Sequence, residues 1–167
     1  MHIFLNGFMG VGKSTIGKDL SQILDLPFID LDNYIEQQEG RSIPDIFQKE
    51  SESGFRLIEQ KHLLSLLTLK DRHIIALGGG TMSSLKNHSI ILQNGVCIYL
   101  YKPWEEIATY IKNMEGRPLA STLSLAELEV IFHQRTYFYE LCQLKTPVNT
   151  TFTAQKLASY LKLSTNR

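Results

Sequence analysis

Gly7-Phe8-Met9-Gly10-Val11-Gly12-Lys13-Ser14 fits the phosphate-binding pattern G-x-x-x-x-G-K-S/T at every fixed position. The flanks supply the context the pattern requires. Ile3-Phe4-Leu5 is a short apolar run suited to a buried parallel strand, and Ile16, Leu20, Ile23 and Leu24 then recur at helical spacing. Strand, glycine-rich loop and helix therefore follow in order. The glycines let backbone N–H groups turn inward around phosphate oxygens, and the start of the helix adds partial positive charge beside them. The pattern puts Lys13 on the β- and γ-phosphates of a nucleotide and the Ser14 hydroxyl on Mg²⁺.

The rest of the chain has to be consistent with such a site. Its 167 residues are close to one typical domain, expected to span 1–167 without an internal linker, and 43% hydrophobic residues can fill a core. Lys plus Arg total 17 and Asp plus Glu total 17, so no overall field attracts nucleic acid or an anionic membrane. An anion must be held by local positive groups. Met1 to Gly7 carries no basic leader or long apolar segment, and no run approaches a membrane span. A soluble cytoplasmic chain is expected. Cys97 and Cys142 lie in apolar settings without C-x-x-C or Cys/His ligand spacing, which predicts reduced core thiols rather than a disulfide or zinc site.

After the first helix, Leu26 to Asp32 reads as a short strand ending in two carboxylates, Asp30 and Asp32. That edge of an open parallel sheet is where ligands bind. Alternation along an extended chain sends both acids to the same side, which suits one for metal and one for substrate. The competing reading is that Asp32 merely caps the next helix. A helix is predicted over Asn33 to Glu39 with Gly40 as its stop, and Ser42 to Asp45 resembles a capping box for a second short helix carrying Ile46 and Phe47. From about Ser53 to Leu69 runs a longer amphipathic helix. Arg56 at its start opposes the helix dipole and so asks for an anionic partner, whereas His62 on the apolar face reads as a packed core histidine.

His73 to Leu77 is a third strand running into Gly78-Gly79-Gly80, a triplet that lets main chain approach a ligand closely. A helical segment over Ser84 to Leu92 leads to a fourth strand, Val96 to Leu100, and Pro103 starts a helix with Trp104, Ile107, Ala108 and Ile111 inward. Asn113 to Thr122, with Gly116, Arg117 and Pro118, interrupts the pattern and reads as a mobile lid. Ser124 to Glu127 is a capping box whose helix sets Arg135 on its apolar stripe, where a guanidinium needs a substrate or protein anion. A short extended piece, Thr146 to Thr150, and a last helix carrying Leu157, Ala158 and Leu161 complete the chain. Alternating strands and helices call for a three-layer α/β domain with a five-stranded parallel sheet.

Taken together, Gly7 to Thr15, Asp30-x-Asp32, Phe55-Arg56-x-x-Glu59, Gly78-Gly79-Gly80, Arg117-Pro118-Leu119 and Arg135-x-x-x-Tyr139 strongly resemble shikimate kinase, in the right order and over nearly the whole chain. The resemblance implies a P-loop kinase fold with strand order 2-3-1-4-5, a substrate cap near 33–60 and a lid near 113–122. It implies Mg²⁺- and ATP-dependent phosphorylation of the 3-hydroxyl of shikimate by a monomer, on the route to chorismate and the aromatic amino acids. Residue by residue, it implies an ATP site of Gly10, Val11, Gly12, Lys13, Ser14, Thr15 and Arg117, and Mg²⁺ at Ser14 and Asp30. Asp32 would act on the shikimate hydroxyls as base, Arg56 and Arg135 would clamp its carboxylate, and the Gly78, Gly79 and Gly80 backbone would line its pocket. Lys13, Asp32 and Arg117 form the implied catalytic set, with Arg117 descending from the lid and Glu59 orienting Arg56.

This chain departs from the family at three places. Residues 105–113 lack the Arg that packs against adenine, leaving Tyr110 or Lys112 to substitute; Ala120 stands where a second Leu follows Arg-Pro-Leu; and Asn149 replaces an Asp. Two rival functions are another small-molecule or nucleotide kinase on the same scaffold and a nucleotide-binding regulatory module without chemistry. Retention of Lys13, Asp30, Asp32, Arg56, Arg117 and Arg135 together argues against the module, and two arginines around a glycine triplet favour a compact carboxylate-bearing acceptor.

Overall fold

A computed structural model describes residues 1–112, 123–149 and 154–165. The expected lid, 113–122 with Arg117, lies outside the described residues. Strand β1 (His2–Asn6) is buried along its whole length and pairs in parallel with β3 (Ile74–Ala76) on one side and β4 (Gly95–Tyr101) on the other. With β2 (Phe28–Asp30) beside β3 and β5 (Leu144–Pro147) beside β4, the sheet runs β2-β3-β1-β4-β5, all parallel. This is the predicted order.

Two-residue periodicity divides the core between the faces of the sheet. Ile3 and Leu5 join Ile16, Leu20, Leu157 and Leu161 on one side, where α1 (Lys13–Leu24) packs with the C-terminal α7 (Ala154–Thr165). Phe4 faces the other side with Leu31, Ile35, Leu63, Ile107 and Phe132 from α2 (Leu31–Glu39), α3 (Ile43–Leu67), α5 (Trp104–Lys112) and α6 (Leu125–Tyr139). Helix α4 (Leu85–Asn94) follows a 3₁₀ turn at Thr81–Ser83. Ile3, Phe4 and Leu5 are 0% exposed, and each such side chain contributes about 1.5–3 kcal/mol relative to solvent. The loop between β1 and α1 is thus anchored by a strand buried along its whole length.

Three element boundaries differ from the sequence reading. Strand β2 stops at Asp30 because its carboxylate accepts the backbone N–H groups of Asp32 (3.2 Å) and Asn33 (3.4 Å), which winds Asp32 into the first turn of α2. The acid pair is therefore not set by strand alternation, and Asp30 rather than Asp32 is the cap. The short helix opened by Ser42 and the longer helix predicted from about Ser53 form a single helical span, α3, interrupted at Ser51, whose φ of 62° and ψ of 178° break the turn. Strand β5 begins at Leu144, two residues before the expected start.

Cys97 and Cys142 are free thiols, Cys97 fully buried on β4, with their sulfurs 3.1 Å apart. Among the described residues no helix is long and apolar enough to cross a membrane.

Candidate active site

Helix α1 begins on Gly12 in a left-handed conformation (φ 104°), with no side-chain cap and no acidic residue in its first turn. A side chain at that φ would be strained, which explains the glycine. By contrast, α2, α3, α4 and α6 start on Asp30, Ser42, Ser84 and Ser124, each accepting an N–H bond. A helix start with neither a side-chain cap nor an acidic first turn suits an anion. Lys13, 8% exposed, donates from Nζ to the carbonyls of Gly7 (2.8 Å) and Phe8 (3.1 Å), which holds the ammonium within the loop. Ser14 Oγ donates to Asp30 Oδ2 at 2.6 Å, so the carboxylate uses one oxygen to cap α2 and turns the other toward the loop.

These groups line a small cavity of about 80 Å³ together with Gly10, Gly12, Thr15, Asp32, Leu77 and Tyr110. Asp32 also lines a larger neighbouring cavity of about 260 Å³, with Met9, Pro44, Phe47, Phe55, Arg56, Glu59, the Gly78 to Gly80 backbone and Arg135 among its walls. One carboxylate thus stands at the junction of a phosphate-binding cavity and a second pocket carrying two guanidinium groups. Phe47 and Phe55, with ring centroids 4.6 Å apart, give the second pocket an apolar wall, and the Arg56 guanidinium carbon lies 5.2 Å from the Phe55 ring centre.

Arg56 donates from Nη1 to Glu59 (3.0 Å) and from Nη2 to Glu52 (3.2 Å). Burial works against its charge, and the two carboxylates more than offset that, leaving the guanidinium pKa above its ordinary value. The predicted orienting role of Glu59 agrees with this contact. Arg135 reaches the same pocket from α6, one turn before Tyr139, whose hydroxyl donates to the Gly79 carbonyl. Burial pushes the Tyr139 phenol well up, so it stays a donor and ties α6 to the glycine turn.

The glycine triplet is small for a reason the sequence reading did not contain. A Cβ on Gly78 would lie 2.7 Å from Asp32 Oδ1, and one on Gly80 would lie 2.3 Å from Arg56 Nη2. The space beside these residues is filled by the pocket's own charged side chains. Met9, Pro44, Phe47 and Phe55 also line the pocket, and the sequence gives none of them a site role. For Pro44, Phe47 and Phe55 the signal is apolar character within the cap expected near 33–60, whereas Met9 is a variable position of the phosphate loop. At the nucleotide end, Tyr110 lines the cavity and its ring packs against Gly10, so a Cβ there would meet Tyr110 Cδ1 at 2.7 Å; Lys112 is exposed and does not line it.

A parallel sheet in this order, with the phosphate loop after β1 and a carboxylate between two adjoining cavities, defines a P-loop kinase fold. The family model for shikimate kinase matches residues 9–164. The chain belongs to the shikimate kinase family. It is 41% identical over 138 residues to a shikimate kinase of Bacillus cytotoxicus, covering 83% of this chain and 82% of that protein. A bifunctional shikimate kinase/3-dehydroquinate synthase of Thermotoga maritima is 42% identical over 139 residues, where the match covers 83% of this chain and only 27% of that longer protein. The solved structure of shikimate kinase from Acinetobacter baumannii in complex with shikimate superposes with a TM-score of 0.87 at 32% identity, covering 99% of this chain and 94% of that one.

Proposed function

We propose that this protein transfers the γ-phosphoryl group of ATP to the 3-hydroxyl of shikimate, giving 3-phosphoshikimate and ADP on the route to chorismate. The observation that carries the reading is Asp32 lining both cavities, since phosphoryl transfer needs acceptor and donor brought together in line across one group. In this scheme Asp32 takes the hydroxyl proton as the acceptor oxygen attacks the γ-phosphorus, the bond to the bridging oxygen breaks, and ADP leaves. Arg56 and Arg135 hold the acceptor carboxylate, Gly78 to Gly80 pack beneath it, and Lys13 with the start of α1 holds the phosphates. Arg117, outside the described residues, is assigned to the transferring phosphate.

Ser14 Oγ and Asp30 Oδ2, 2.6 Å apart, are the hard oxygen donors that suit Mg²⁺ alongside waters and phosphate oxygens. Among the described residues no group of three or more His, Cys, Asp or Glu forms a metal cage, which fits an ion carried in with the nucleotide. Bound there, Mg²⁺ would neutralise phosphate charge. We place the reaction in the cytoplasm of the cell, where ATP is supplied and Cys97 and Cys142 would stay reduced, and take the working unit as a monomer.

A coupled assay of ADP release with and without shikimate tests the reading. Release should depend on shikimate, with gluconate and nucleoside monophosphates poor acceptors. Equal turnover of any of these would favour a different small-molecule kinase.

A further inference from the structure

Behind the acceptor pocket a line of buried polar side chains leads away from Arg56. Glu59 Oε2 accepts from Arg56 Nη1 at 3.0 Å, and its other oxygen, Oε1, accepts from Thr81 Oγ1 at 2.7 Å. The Thr81 carbonyl accepts from Asn87 Nδ2 at 3.2 Å, and Asn87 Oδ1 accepts from Gln60 Nε2 at 2.9 Å. Gln60 follows Glu59 in α3, so the line closes on itself through the 3₁₀ turn and α4. Glu59 and Thr81 are 0% exposed and Asn87 is 1% exposed.

A buried carboxylate is unfavourable unless each oxygen finds a donor. Here one oxygen is held by the 3₁₀ turn, and only the other is offered to Arg56. A guanidinium on a flexible stem binds an anion more tightly when its rotamer is fixed beforehand. Arg56 is held by the buried Glu59 and by the exposed Glu52, and it lies against the bare face of Gly80. We infer that Thr81, itself held by Asn87, is a positioning residue for the acceptor: it sets the Glu59 carboxylate, which sets Arg56 toward the substrate carboxylate. The inference rests on the acceptor site proposed above.

Thr81→Val keeps the side-chain shape and removes the donor. Its KM for shikimate should rise roughly tenfold, the scale of a lost hydrogen bond to a charged group, while kcat and the KM for ATP stay within about twofold. Thr81→Ser should restore binding, and Thr81→Ala carries the same comparison should the valine variant fail to fold. In an Arg56→Ala background, Thr81→Val should add no further rise, because its effect passes through Arg56. A raised shikimate KM in Arg56→Ala beside an unchanged one in Thr81→Val, or penalties that multiply in the double variant, would overturn the relay alone. An Arg56→Ala enzyme with unchanged shikimate KM would instead overturn the carboxylate clamp.

Discussion

Asp32 reaches its position through helix geometry, in the first turn after a cap made by Asp30. The two acids therefore divide their work by environment: Asp30 is engaged with Ser14 and two backbone N–H groups, and Asp32 faces both cavities. Asp32→Asn should lower kcat by about 10²-fold or more while ATP still binds, since a lost base and a misplaced acceptor act on the chemical step. Lys13→Met should weaken ATP binding as well. Fluorescence titration with a nucleotide analogue, run beside turnover measurements, separates the two, and a near-normal kcat in Asp32→Asn would reduce that residue to a helix-start acid. Tyr110 brings an aromatic ring to the lining of the nucleotide cavity. Stacking on a base is worth about 1–3 kcal/mol, so Tyr110→Ala should raise the KM for ATP at least several-fold and leave that for shikimate unchanged, as steady-state kinetics with each substrate varied would reveal. The phosphate loop was legible because its residue types and spacing are themselves the chemistry. The role of the glycine triplet was only half legible: close approach was predicted, and the identity of what approaches, Asp32 and Arg56, depends on residues tens of positions away.

Helices α2 and α3 share an apolar core through Leu31, Ile35, Leu63 and Leu66, and beside it they are joined by charge. Glu39 accepts from His62 Nε2 at 2.7 Å and from Lys61 Nζ at 3.2 Å, and Arg41 lies 3.4 Å away. The His62 hydrogen bond first, then that of Lys61, lowers the Glu39 pKa from 4.5 to about 2. A carboxylate held below its unfolded value stabilises the fold above pH 4.5, and that contribution fades as pH falls toward about 2. Thermal unfolding followed from pH 6 to pH 2 should thus show a steeper loss of Tm in the wild type than in Glu39→Gln; parallel curves would mean that solvent screens the joint. Local signals predicted the elements well: Ser42 and Ser124 cap their helices as read, and Gly40 ends α2 in a left-handed turn. The Glu39–His62 contact was hidden, because it joins residues 23 apart and His62 had only its apolar neighbours to indicate packing. The break at Ser51 falls between the two helices the sequence predicts, the second from about Ser53, although serine carries no signature for the positive φ that makes it.

Across the whole molecule, the sheet order places the carboxyl ends of β1, β2 and β3 side by side, and with them the phosphate loop, the acid pair and the glycine turn. Arg135 joins them from α6, which packs on the same face of the sheet as α2 and α3. Strand alternation with helices was readable from periodicity, whereas the order came from resemblance, since composition holds no record of which strands are neighbours. The remaining cation belongs to 113–122, outside the described residues. If Arg117 meets the transferring phosphate, Arg117→Ala should lower kcat more than it raises the KM for shikimate, because charge shared in the transition state gains most from it; a pure KM effect in steady-state kinetics would assign Arg117 to substrate binding. The most direct test of the account is to identify the product formed from shikimate, ATP and Mg²⁺ by phosphorus NMR. A single phosphate ester on the 3-hydroxyl, formed in equal amount with ADP, is the predicted result, and phosphate on another hydroxyl, or ADP without phosphorylated shikimate, would contradict it.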